Sequence, residues 1–393
     1  MQIVELSSYV IRLPLRREVK HASATRRASD NLVVRCLLAD GTEGWGEGVP
    51  RPYVTGETPE GAMAQLAATP LAEQLGPDAQ SWSDVFAICD RFEPPVGEDD
   101  PRGSRANALR CAVELSILDA FARRFDEPLR AVTQQFEPAR ALCTSNRQVR
   151  YSAVITAEAP RAERISALKM RLYGFAQCKV KVGMASAGEA DRLRRIRRWL
   201  GRRMDLRLDA NGAWRGSEAA GRIEPLLACN VSCVEQPVPH EEVESLAEVR
   251  RQVPLPLMLD ESLTSLSDAR EAIRLGTCDL FNIRLSKCGG FLNCLRLAAL
   301  ARSAGLDYQL GCHPGESGIL SAAGRHWATS VSEIRYLEGS YDRHLLREQL
   351  TKEDITFGYG GRAPALSGPG LGVTVDPKAL ARLTVQRQTQ PLR

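Results

Sequence analysis

Apolar and polar residues alternate along 2–15 (QIVELSSYVIRLPL) and again along 31–48. This period of two predicts strands. The Asp40-Gly41 pair between LVVRCLL and TEGWGEG predicts a tight hairpin within the second run. Between the two runs lies REVKHASATRRASD, polar and rich in cations. From residue 59 the period lengthens to that of helices, predicted at 59–75, 81–92 and 103–123. Thr58 followed by Pro59 is a helix start. Residues 1–135 thus read as an α+β domain, with a linker near 135–148.

Beyond the linker the pattern changes. Short β-rich runs recur roughly every 25–28 residues with amphipathic stretches between them, such as 189–201 and 267–276. Strands are predicted near 149–156, 178–183, 205–210, 231–236, 256–260, 280–286, 307–312 and 335–338. Eight parallel strands separated by helices close a TIM-type barrel, here over 149–355. The fold class is α/β, with the α+β domain in front. The Gly- and Pro-rich tail from 356 is expected to pack on that first domain or on the barrel mouth, so part of 356–393 is assigned with 1–135.

Composition narrows the class of partner. A chain of 393 residues exceeds one ordinary domain, and a 44% hydrophobic fraction supports a large core. The net charge of +4, with both signs interspersed, argues against nucleic acid. No apolar run is long enough to span a membrane, and the N-terminus lacks a basic start followed by a long apolar core. A cytoplasmic protein, acting on a small molecule as a homo-oligomer, is the expectation. Eleven scattered cysteines without a CxxC pair fit reduced, buried thiols better than disulfides or a zinc site.

The candidate chemistry lies at the C-terminal ends of the barrel strands, where barrel active sites form. Lys179, Lys181, Asp209, Glu235, Asp260 and Lys287 all fall there. Residues two apart on a strand face the same side, so Lys179 and Lys181 share the interior, and Asp209 and Asn211 do so if the strand stays extended. Three carboxylates on consecutive strands make an all-oxygen site for a hard divalent cation, Mg²⁺ before its substitute Mn²⁺. Glu261, adjacent to Asp260, should point away. A lysine beside a cation and a second lysine has its ammonium disfavoured and becomes a usable base. One charged residue at a strand end is ordinarily a cap or a surface ion pair; six on five successive ends are not so explained.

This set, KxK at 179–181, Asp209 in DANGAW, Glu235 in VEQPV, Asp260 in LDES and Lys287 on the sixth strand, resembles the enolase superfamily, within it the muconate-lactonizing (muconate cycloisomerase) subgroup. ADGTEGWGEGVPRPYVTGET is similar to its N-terminal capping domain. The resemblance covers nearly the whole chain and implies a modified (β/α)₇β barrel. It implies Asp209, Glu235 and Asp260 as Mg²⁺ ligands. It further implies Lys181 and Lys287 as acid/base catalysts on opposite faces of a carboxylate substrate, and Lys179 as the group that tunes Lys181. Lysine-plus-Mg²⁺ enolate chemistry is that superfamily's own and is implied by the resemblance.

Two features depart from the pattern. Mandelate-racemase-like members place a catalytic His where His313 stands and pair it with an Asp on the sixth strand. Here Asp279 falls at the wrong end of that strand, so His313 is expected as a substrate contact rather than the principal base. Second, GCHPGES at 311–317 does not closely match the seventh-strand loops of muconate cycloisomerases, and Glu316 is the candidate for the subgroup's acidic residue after that strand. A thiol nucleophile at Cys312 has no supporting context. The family's capping loops correspond to Arg16–Asn31 and to PYVTGE around Tyr53. Their cations, Arg26 among them, would form a lid favouring a second anionic group, as in a dicarboxylate or an N-acylated acidic amino acid. The preferred function is an isomerase, either a muconate-type cycloisomerase or a racemase/epimerase of amino-acid derivatives. A lyase on the same residues (o-succinylbenzoate synthase or acid-sugar dehydratase) and a catalytically silent binding protein are the alternatives, the last disfavoured by the two lysines.

Overall fold

A computed structural model describes residues 1–393 apart from 22–23, 98–99, 158, 184–187, 340 and 393. The N-terminal alternation forms β1 (Ile3–His21), whose Ile11, Leu13 and Leu15 are buried while Arg12 and Arg16 face outward. It pairs antiparallel with β2 (Ala24–Leu38), which turns at Asp40-Gly41 into β3 (Glu43–Gly48). The polar REVKHASATRRASD segment is not a separate loop. Val19 pairs with Arg26 and Lys20 with Thr25, so it is the far end of one long hairpin. Backbone pairing needs no apolar side chain, which is why polarity misplaced the strand ends.

Helix α1 (Pro59–Ala68) starts where Thr58 Oγ1 accepts from the Gly61 N–H at 3.1 Å. The expected single helix to 75 is broken at Pro70, which cannot donate and holds Thr69 extended; α2 (Leu71–Leu75) follows. Then come α3 (Trp82–Arg91) and α4 (Asn107–Arg124). The glycines of GWGEG explain how α4 meets the sheet. Gly44, Gly46 and Gly48 share one face of β3, and a Cβ on Gly46 would lie 2.0 Å from the Ala112 carbonyl oxygen. Alternate glycines thus let the small-residue stripe Ala108, Ala112, Ser116 and Ala120 rest directly on the strand. The linker region contains a 3₁₀ turn at Glu137–Leu142 rather than open chain.

After β4 (Gln148–Arg150) the barrel strands are β5 (Ala153–Ile155), β6 (Gln177–Lys181), β7 (Asp205–Asp209), β8 (Val231–Glu235), β9 (Leu257–Leu259), β10 (Leu280–Ile283) and β11 (Asp307–Leu310). They form one parallel sheet in chain order. The expected eighth strand at 335–338 makes one bridge, Leu310 to Leu337, instead of a ladder. It still joins the two edges: the Glu338 N–H donates to Leu310 O at 2.9 Å and the Ser152 N–H to Leu337 O at 2.8 Å. In the tail, β12 (Arg362–Pro364) pairs with β4, and β13 (Thr384–Pro391) becomes the edge of the N-terminal sheet beside β1. No helix among the described residues is long and apolar enough to cross a membrane.

Buried polar residues dock the two parts. Glu47, facing away from α4, accepts from the Ser317 and Leu320 N–H groups and the Ser317 hydroxyl, capping the helix Gly318–Ser330. Asn31 donates to Glu47 at 2.6 Å and to Gly315 O at 2.8 Å. At the start of α4, Asn107 Nδ2 donates to both Thr264 O and Lys287 O at 2.7 Å. The loops after β9, β10 and β11 are therefore clamped by the N-terminal domain.

Candidate active site

Parity along the strands decides what reaches the barrel mouth. Lys179 and Lys181 project inward from β6, Asp209 ends β7 and Glu235 ends β8; in the ladder Lys181 pairs with Asp209, and Asp209 with Glu235. Asp260 follows β9. Asn211 and Gln236, just past the two strand ends, have φ of 45° and 38°, in the left-handed region. The β7 chain is thus not extended at Asn211, but its side chain still meets Lys181. Gln236 Oε1 receives the Asp260 N–H at 2.9 Å and fixes that residue's entry.

The buried charges form one network. Lys179 Nζ lies 2.8 Å from Glu338 Oε1 and 3.2 Å from both Asp209 Oδ2 and Glu235 Oε2. Arg207 shares Glu338 at 2.5 Å and stacks 4.6 Å over the Tyr336 ring. Asn282 donates to Glu235 Oε1 at 2.7 Å. Burial pushes the Glu235 carboxyl up to about 8; Lys179 opposes this, while Asp209, Glu338 and Asp260 add to it. Burial alone would lower Lys179, but Glu235, Glu338 and Asp209 hold its ammonium well above the usual range. The expectation that crowding by cations makes these lysines weakly basic is therefore reversed at Lys179. Lys181 is different: its amine donates to one neutral oxygen, Asn211 Oδ1, at 2.7 Å. Asn211 in turn donates to Glu261 at 3.1 Å. Glu261 does line the cavity, contrary to simple alternation, because the chain turns after β9.

Lys287 is held away from the cavity. Its Nζ donates to Asp260 O at 2.6 Å, Asp260 Oδ1 at 2.8 Å and Asn282 O at 2.8 Å, which uses all three ammonium hydrogens. It is 1% exposed and does not line the cavity. The segment carrying it lies under the N-terminal domain, held by Asn107 on Lys287 O and by the Val49 N–H on Ser286 Oγ. The β10 cation that lines the cavity is Arg284, two residues beyond the inward-facing Asn282. Arg284 is in ion-pair contact with Asp260 Oδ2 and stands 3.7 Å from Glu235 Oε1. Arg284 and Lys287 together hold the Asp260 carboxyl well below its usual range against the opposing effect of burial.

The cavity above these groups has a volume of about 410 Å³. His313 and Glu316 line it from the β11 loop, Tyr53 and Arg26 from the N-terminal domain, with Arg26 5.7 Å over the Tyr53 ring. The His313 backbone N–H donates to Glu316 Oε1; its Nδ1, 3.8 Å from the same oxygen, is buried without a hydrogen-bond partner among the described residues. Burial, with Arg284 and Arg51, pulls the imidazole well below its usual pKa. Of the expected lid cations, Arg17 and Arg26 line the cavity. Arg16 binds Leu346 O and Arg27 pairs with Glu18, while the side chains of Lys20 and His21 lie outside the described residues. Asp279 pairs with Arg250 at the start of β10, at the far end of the strand.

Asp209, Glu235 and Asp260 supply the hard oxygen donors that suit Mg²⁺. As the side chains lie, no group of three or more His, Cys, Asp or Glu among the described residues is close enough to hold an ion. Two cations stand among these carboxylates: Arg284 contacts Asp260 and lies 3.7 Å from Glu235, and Lys179 lies 3.2 Å from both Asp209 and Glu235.

Residues 162–379 match the family described as enolase C-terminal domain-like. Over 98% of this chain and 97% of its relative, the sequence is 26% identical to the hydrophobic dipeptide epimerase of Enterococcus faecalis. Over 98% of this chain and 99% of its relative, it is 29% identical to muconate cycloisomerase 1 of Rhodococcus opacus. The crystal structure of N-succinyl Arg/Lys racemase from Bacillus cereus superposes with a TM-score of 0.86 at 26% identity, covering 99% of this chain and 100% of that one.

Proposed function

The chain belongs to the enolase superfamily, and on that premise we propose that it is an isomerase that removes the proton α to a substrate carboxylate, with Lys181 as the base. The observation that carries this reading is the contrast between the two cavity lysines. Lys179 is committed to three carboxylates, whereas Lys181 rests on the neutral oxygen of Asn211 and borders open space. An amine so placed can give up and recover a proton.

Asp209, Glu235 and Asp260 would hold Mg²⁺, with Mn²⁺ as a substitute. Bound there, it would stabilise the negative charge that builds on the carboxylate as the proton leaves. Lys179 and Asn282 keep Glu235 aimed inward, and Lys287 does the same for Asp260. Arg284 contributes a permanent positive charge and carries no exchangeable base function. Proton transfer is confined to the Lys181 side, which favours a muconate-type cycloisomerase over a two-lysine racemase. The same one-sided site would serve syn elimination, which water loss would reveal.

A second reading, racemisation or epimerisation, is favoured by one observation: at the cavity wall His313 has a buried imidazole Nδ1 3.8 Å from Glu316 Oε1 and without a hydrogen-bond partner among the described residues. It would be the second proton carrier. The test is a panel of muconates, N-acylated amino acids and dipeptides in D₂O with Mg²⁺, followed by NMR. Ring closure, or deuterium uptake without inversion, supports the first reading. Interconversion of stereoisomers supports the second, and absence of exchange with every acid counts against both.

A further inference from the structure

The position of Arg284 has a consequence for the metal. Its Nη2 touches Asp260 Oδ2 and approaches Glu235 Oε1 to 3.7 Å, so it bridges two of the three proposed ligands. Room for this comes from Gly311 on the neighbouring strand, where a Cβ would lie 2.2 Å from Asn282 Oδ1 and 3.0 Å from Arg284 Cγ. The guanidinium is not fully satisfied there: its Nε is buried without an acceptor. Cations already neighbour every one of these carboxylates: Asp209, Glu235, Asp260 and Glu338 lie against Lys179, Arg207, Arg284 and Lys287. A divalent ion added to that buried set would share two carboxylates with a guanidinium at contact distance, and like charges so placed repel strongly. Lys179 and Lys287 are each held by three acceptors. Arg284 has a nitrogen without an acceptor among the described residues and the open cavity beside it.

We propose that Arg284 is a tethered cation that occupies the divalent-metal position in the metal-free protein, and that metal binding displaces its guanidinium from Asp260 and Glu235 into the cavity. The inference rests on the reading that Asp209, Glu235 and Asp260 hold the metal. Displacement lowers metal affinity by the strength of the contacts Arg284 gives up, and an uncharged side chain of similar length removes that competition. A lysine keeps the charge and so keeps the competition.

The experiment is Mn²⁺ binding, by electron paramagnetic resonance and calorimetry, to the metal-stripped wild type and to Arg284→Gln, Arg284→Lys and Glu235→Gln, with thermal melts of each. Arg284→Gln should bind Mn²⁺ at least tenfold more tightly than the wild type, and Arg284→Lys within about threefold of it. The stripped Arg284→Gln protein should melt lower than the wild type and gain more on Mn²⁺ addition. If Arg284→Gln binds equally or more weakly while Glu235→Gln abolishes binding, the displacement is refuted and the ligand assignment stands. If Glu235→Gln leaves Mn²⁺ binding intact, or the wild type binds none, both fall.

Discussion

Lys287 grips Asp260 twice, donating to its backbone oxygen at 2.6 Å and to its carboxylate Oδ1 at 2.8 Å. A residue held this way is expected to set the position of a carboxylate rather than to exchange protons with a substrate. Lys287→Met would leave half of the Asp260 charge uncompensated in the core. Loss of one partner from a buried pair costs about 3–5 kcal/mol, so chemical denaturation should show a loss of that order. If the variant unfolds like the wild type but exchanges substrate protons a thousandfold more slowly, Lys287 is a catalyst after all.

The glycines of β3 give a sharper packing test. Gly46→Ala places a methyl 2.0 Å from the Ala112 carbonyl oxygen, where backbone rather than a flexible side chain stands in the way. The helix must move off the strand, and overpacking of this kind costs about 1–3 kcal/mol or more. A lowered melting temperature is expected, together with weaker activity through the Glu47 clamp one residue on. Gly221→Ala, on the helix Gly216–Ile223 with nothing within 4 Å of the added Cβ, should leave the melting temperature, the contact of α4 with β3 and the clamp unperturbed.

Acid sensitivity should pass through His326. Its Nε2 lies 3.0 Å from Leu371 O, and burial lowers its pKa from 6.5 to about 4. The folded state therefore binds the proton less readily than the unfolded chain. The stability this gives is complete above pH 6.5 and is lost as pH falls towards 4, by about 3 kcal/mol in all. His326→Gln, which keeps a donor, should flatten this part of the stability–pH curve. An unchanged slope between pH 6.5 and 4 would contradict it.

Removal of metal offers a separate check. Chelation should abolish α-proton exchange, and Mg²⁺ should restore it, with Mn²⁺ as the substitute. Asp209→Asn should resist restoration at metal concentrations that saturate the wild type. Exchange that survives exhaustive chelation would remove the metal from the account.

Much of the site was legible from strand parity. Lys179, Lys181, Asp209, Glu235 and Asp260 face one interior because each lies in phase at the end of a β run. The same rule applied to NIRLSK identifies Arg284, two residues beyond Asn282, as the inward cation; Lys287 is out of phase and beyond the strand. Residue type favours Lys287, since lysine is the customary base, whereas parity favours Arg284 three residues earlier. Glu338 carried no comparable signal, since the segment 335–338 forms only a single bridge. The Glu47 and Asn31 contacts with the β11 loop were invisible for a different reason. They join residues about 270 to 284 positions apart, and local pattern holds no information about such pairings.

The claim that most needs testing is that Lys181 is the base. The direct measurement is wash-in of deuterium at the α-carbon of an accepted substrate, for the wild type, Lys181→Ala and Lys181→Arg, with folding and Mn²⁺ binding verified for each. A general base contributes about 10²–10⁴ in rate, so both variants should lose exchange by at least about a hundredfold. Arginine should not rescue it, because its guanidinium stays protonated. Exchange within tenfold of the wild type in Lys181→Ala would contradict the account and transfer the proton to another cavity group.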